Sequence, residues 1–153
     1  YASTEDSVSN ANTAGTQYVS GGVRRKTTAL SCVVKVAAVT LLVSSNNDFE
    51  WSLLLNPTIA TPVTFTDVPA ACVQFGPGNA GSPSSSTATG GTRLNGGYVK
   101  GSSTTGSIPH LTLESTLNIG AAIDGTRDEV YLVVRPLSAN ANVYGGLTWR
   151  ELV

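Results

Sequence analysis

The sequence predicts an all-β domain, a β-sandwich of about eight short antiparallel strands of the jelly-roll or a related Greek-key type. Short apolar runs rich in Val, Thr and Leu recur between clusters of Gly, Pro, Asn, Asp and Ser, and no stretch sustains the 3.6-residue period of an amphipathic helix. The end of the chain alternates: in Gly146 to Leu152, Leu147 and Trp149 fall on one side and Thr148 and Arg150 on the other, as a half-buried strand requires. The C-terminus therefore reads as a packed strand.

Tyr1 to Gln17 is rich in Ser, Thr, Asn and Ala with scarcely an apolar anchor. Residues 1–17 are thus expected as an extended arm or linker ordered by a partner, and residues 18–153 as one sandwich domain. After Gly21-Gly22, the stretch Val23 to Val43 predicts one long strand, or two meeting near Ala37-Ala38. Its β-branched density weighs against helix over Val33 to Leu42. Turn chemistry from Ser44 to Asp48 leads into a strand over Phe49 to Leu55, stopped by Asn56-Pro57. Thr61 to Thr66, with Val63 and Phe65 set against threonines, and Ala70 to Phe75 read as further short strands. Gly76 to Gly91 has no period and is expected as a long loop. Thr92 to Lys100 and Ile108 to Leu117 are strand candidates separated by Gly101 to Ser107. Leu117 to Ile123 is expected as a short helical turn, and Asp124-Gly125 turns the chain into a strand over Val130 to Val134.

Composition narrows the function. Only 12% of the 153 residues are charged, about half the usual share of roughly 25%. The net charge of -1 supplies no attraction to nucleic acid or an anionic membrane, so neither partner is expected. The longest apolar run, Cys32 to Val43, is interrupted by Lys35 and falls short of the roughly 20 residues of a spanning helix, which argues against membrane insertion. The chain opens on Tyr1 with no basic segment followed by an apolar one, and a processed product or a fragment of something longer is the expectation.

Little catalytic chemistry is on offer, and no enzymatic activity or cofactor is expected. His110 is the one imidazole; Pro109-His110-Leu111 carries no nucleophile pattern, and no Gly-x-Ser-x-Gly occurs. Zinc is disfavoured because one His and the distant Cys32 and Cys72 lack ligand spacing. The two cysteines sit in apolar contexts and are expected as buried free thiols, with one inter-strand disulfide as the alternative. Asp124 to Glu129 gathers three carboxylates but lacks a calcium-loop pattern and reads as a charged turn. Arg24-Arg25-Lys26 would place Arg24 and Lys26 on one strand face, as a solvated or edge-protecting strand end or a contact for phosphorylated glycan or an acidic subunit. Trp51, Tyr131 and Trp149 are expected in the core, whereas Tyr98 beside Gly96-Gly97 and Tyr144 beside Gly145-Gly146 are expected at the surface.

Four phrases resemble small structural proteins of tailed bacteriophages: Gly21 to Lys26, Glu50 to Pro57, Ala121 to Glu129 and Asn142 to Leu152. The resemblance spans most of the chain after residue 18 and implies a virion component, a head-decoration or tail- or head-fibre module with other virion proteins as partners. Edge strands that need cover favour a homo-oligomer, and the resemblance makes it a trimer. In this reading Tyr1, Glu5, Val8 and Gln17 belong to an assembly arm, and Arg93, Tyr98, Lys100 and Tyr144 are candidates for contact with a host-surface glycan. A freestanding carbohydrate-binding module is the alternative.

Overall fold

The structure, a computed structural model, describes residues 2–11, 13–29, 31–43, 46–78, 86–101, 106–112, 118–121, 125–138 and 141–152. Among them there is no helix, and the chain is all β as expected. The strands are β1 (Ala2–Ala11), β2 (Tyr18–Arg25), β3 (Val33–Val43), β4 (Phe49–Leu55), β5 (Thr58–Ile59), β6 (Thr66–Asp67), β7 (Val73–Pro77), β8 (Ala88–Thr89), β9 (Thr92–Val99), β10 (Gly106–Thr112), β11 (Glu129–Pro136) and β12 (Ala141–Leu152). Eight of these reach seven residues or more, and the four shorter ones all belong to the connection from β4 to β9.

The long strands pair in nested, antiparallel fashion: β1 with β12, β2 with β11, β3 with β10 and β4 with β9. Ladders between β3 and β12 and between β4 and β11 join these pairs into two sheets. One has the order β1-β12-β3-β10; in the other, β2-β11-β4-β9 is extended past β2 by β7 and β6.

Alternation decides what lies between the sheets. Val34, Val36, Val39, Leu41, Val143, Leu147 and Trp149 meet Val23, Phe49, Trp51, Leu53, Val130, Leu132 and Val134 in one core. Each such side chain contributes about 1.5–3 kcal/mol on burial. The other face of the β2-containing sheet is covered as well. Val63, Ala88, Ile59 and Phe65, from the β4–β9 connection, pack on Val19, Leu54, Tyr131 and Val133 in a second cluster. This explains why β4 is buried along nearly its whole length instead of every second residue.

Several expectations change. The break in Val23 to Val43 falls between β2 and β3, and Ala37 is only the extra residue of a bulge, where Thr148 pairs with Ala38 but Trp149 pairs with Val36. Thr61 to Phe65 is irregular, with a strand only at Thr66–Asp67; Pro62 has no amide to give a ladder, yet Val63 is buried by side-chain packing alone. The strand expected from Ala70 begins at Val73, after a turn in which Ala70 takes φ 56°. In place of a helical turn, the described residues 118–121 are extended: Ile119 bridges Val34, donates its amide to the Val34 carbonyl at 2.8 Å and is buried in the core. Residues 79–85, 102–105 and 113–117, which carry parts of the expected loops and of the Ile108 to Leu117 strand, lie outside the described residues. The segment expected as an arm ordered by a partner pairs, from Ala2 to Ala11, with β12 of its own chain as an edge strand.

Candidate functional site

Because Phe49, Trp51 and Leu53 point into the core, Glu50, Ser52 and Leu54 face the opposite side of the sheet. Leu54 is covered by the second cluster. Glu50 is buried by two guanidinium groups: Arg93 Nη1 lies 2.6 Å from Oε1, and Arg135 Nη2 pairs with Oε2. Register explains the convergence, since Arg135 on β11 and Tyr98 on β9 both stand opposite Glu50, giving a row of Arg135, Glu50 and Tyr98 across three strands. Arg93 reaches this row by lying over Gly96, where a Cβ would collide with its guanidinium and sit 2.6 Å from the Trp51 carbonyl.

Two cations on one carboxylate leave a local charge of about +1. Arg135 Nε is buried with no hydrogen-bond partner among the described residues. Tyr98, on the edge strand β9, is 70% exposed. An open aromatic ring beside guanidinium groups suits an acidic, ring-bearing ligand, through stacking and charge-assisted hydrogen bonds.

Of the expected contact residues, Arg93 and Tyr98 share this face, and Lys100 is exposed one position beyond β9. Tyr144 is exposed too, but on the other sheet, opposite Leu42 of β3. Glu50 and Arg135 were not singled out from the sequence. The available signal was a lone charge at the margin of an apolar strand, Glu50 in Phe49–Leu55 and Arg135 after Val130 to Val134.

Of the assembly residues, Glu5 and Val8 lie on β1 opposite Gly146 and Val143, and the Gln17 carbonyl accepts from the Ala88 amide at 3.0 Å. Tyr1 and Asp124 lie outside the described residues, as does the side chain of His110, which sits on β10.

The basic cluster is committed to internal contacts. β2 lies between β7 and β11, so Arg24 and Lys26 protect no edge. Arg24 pairs with Glu129 at 2.7 Å, donates to Gln74 Oε1 at 2.9 Å and lies 4.0 Å from the centre of the Phe65 ring. Lys26 donates to the Val68 carbonyl at 2.9 Å, with Asp67 3.7 Å away. Glu129 also accepts from the Tyr131 hydroxyl at 2.6 Å. Burial, reinforced by that carboxylate, raises the Tyr131 phenol above its ordinary range. Asp128, in the charged turn, accepts from Asn56 Nδ2 at 2.9 Å and from the Gly120 amide at 3.2 Å.

The thiols, remote in sequence, meet in space. Cys32 precedes β3 in one sheet and Cys72 precedes β7 in the other; both are free, Cys32 buried and Cys72 half-buried. Their sulfurs and a Glu151 carboxylate oxygen all lie within 4.8 Å of one another. Glu151 is fixed in place, accepting from the Trp149 indole at 2.8 Å and from the Cys72 amide at 3.0 Å. Burial, then the neighbouring Cys72 and Glu151, push the Cys32 thiol up to about 12, with Arg25 opposing.

No family model, curated protein or solved structure matches the chain.

Proposed function

We propose that the chain is a non-enzymatic structural protein of a bacteriophage virion, a head-decoration or tail- or head-fibre module. The nested pairing of β1 with β12, β2 with β11, β3 with β10 and β4 with β9 carries this reading. Such nesting is compatible with a jelly roll, an architecture of viral capsid and lectin domains, and supports that finer reading of the sandwich. Because one fold hosts many functions, the choice among them rests on the resemblance of Gly21 to Lys26, Glu50 to Pro57, Ala121 to Glu129 and Asn142 to Leu152 to tailed-phage structural proteins.

Assembly runs through β1. It is an edge strand of ten residues laddered to β12 by backbone pairing, and a neighbouring copy's β12 offers the same ladder. Exchange around a closed ring gives a homo-oligomer, threefold on the phage resemblance, which docks onto other virion proteins. Mass spectrometry of purified particles is expected to find the chain in fixed ratio to head or tail proteins; particles that lack it would end this reading.

One observation favours a second reading, a freestanding carbohydrate-binding module: Tyr98 stands open at the end of the row that holds Glu50 and Arg135, on the strand that carries Arg93. On either reading this face contacts acidic glycan. A monomer that binds an acidic oligosaccharide in calorimetric titration and never accompanies particles would favour the module.

A further inference from the structure

We infer that Cys32, Cys72 and Glu151 form a binding site for a thiophilic divalent cation of the zinc class, which ties the two sheets together at one end of the sandwich. The three donor atoms converge from three separate segments and all lie within 4.8 Å of one another. Sulfur ligands at about 2.3 Å from a tetrahedral zinc ion stand roughly 3.8 Å apart, so a cation fits between donors so placed with only small adjustments. A disulfide would need the sulfurs to close to about 2.05 Å.

Donor chemistry points the same way. Two sulfurs and one carboxylate select a thiophilic ion over calcium or magnesium, which take oxygen ligands. The carboxylate is already aimed: the Trp149 indole and the Cys72 amide hold its two oxygens, the outer-shell orientation that metal ligands commonly have. Charge balances as well. Two thiolates and one carboxylate carry three negative charges, which a divalent cation and the neighbouring Arg25, whose field reaches Cys32, offset. Cys72 and Glu151 are half-buried, leaving water a path to the fourth coordination position.

Location gives the site its consequence. Cys32 and Glu151 lie at the ends of β3 and β12 in one sheet, while Cys72 leads into β7 in the other. A cation held by all three therefore crosses the sandwich where β3, β7 and β12 meet, and favours the folded state by binding only there.

The test is titration of the full, reduced chain with cobalt(II) and then zinc. One equivalent of cobalt is expected to give a thiolate charge-transfer band in the near ultraviolet, displaced by one equivalent of zinc. Cys72→Ser is expected to lose most of the band, and Glu151→Gln to retain it while weakening affinity by about tenfold or more. Cys72 is chosen because the buried Cys32 risks the fold; wild-type titration alone decides the matter if the variant fails to fold. Absence of a band and of bound zinc in the wild-type chain would overturn the inference. So would an intact mass two hydrogens below the reduced value in protein purified without reductant, since that assigns the pair to a disulfide.

Discussion

Glu50 and Glu151 are two carboxylates held in opposite ways. Glu50, on the outer face of the β2-containing sheet, is buried between Arg93 and Arg135. Glu151, at the end of the sandwich, accepts from two neutral donors, the Trp149 indole and the Cys72 amide, and faces two thiols. Strand register supplies the guanidinium groups in the first case, since Arg135 stands directly opposite Glu50. In the second, turns from both sheets bring thiols together instead. The outer-face site pairs its carboxylate with two cations and keeps a surplus positive charge, whereas the proposed cation at the thiol site would take the place of the thiol protons.

Removing both guanidinium groups breaks the first site most severely. Arg93→Ala with Arg135→Ala strips Glu50 of both ionic partners, and is expected to cost about 3 kcal/mol in urea unfolding, the low end for a broken buried pair because both arginines are half-exposed and their loss opens the carboxylate to water. Each single change is expected to cost about 1 kcal/mol, because one guanidinium remains; additive single losses would contradict the shared-carboxylate account. At the second site, Glu151→Gln is expected to cost about 1–2 kcal/mol in chelator, where it weakens two hydrogen bonds. The same change should reduce the rise in Tm on adding zinc, and Cys72→Ser should remove most of it.

A contact internal to the sheet provides the control for both. Tyr131→Phe removes the hydrogen bond to Glu129 and is expected to cost about 1 kcal/mol at neutral pH. Its pH signature has a definite sign. Because the native phenol is raised, the unfolded chain loses this proton first as pH climbs above about 10, so unfolding releases a proton and stability falls with rising pH. In Tyr131→Phe that part of the alkaline loss should vanish, as thermal scans from pH 8 to about 11 would record. The smallest expected effect on stability is that of Tyr98→Ala, under about 0.5 kcal/mol for so exposed a side chain. It should nonetheless weaken acidic-glycan binding by about tenfold, worth roughly 1.4 kcal/mol.

Alternation made the strands legible. Leu147 and Trp149 against Thr148 and Arg150, and Trp51 in its apolar run, assigned β12 and β4 and put both tryptophans in the core. Pairing was not legible, because β1 meets β12 and β2 meets β11 across most of the chain and alternation carries no information about partners. Thr61 to Phe65 misled because Val63 is buried without a ladder, by packing on the outer face of the sheet. Tyr98 and Tyr144 were legible as surface aromatics from their glycine neighbours. The thiol cluster was hidden by distance: Cys72 and Glu151 stand 79 residues apart, and ligand-spacing rules recognise only metal sites built from local segments.

The central claim is that β1 is an assembly strand whose ladder with β12 is exchanged between copies. Light scattering of the full chain against a chain lacking residues 1–11, at micromolar concentration and with thermal unfolding of both, tests it most directly. Expected are a trimer mass for the full chain, and for the truncated one a monomer mass with a Tm lowered by loss of the β1–β12 ladder. A full chain that is monomeric, or a truncated chain that keeps the trimer mass, would contradict assembly through β1.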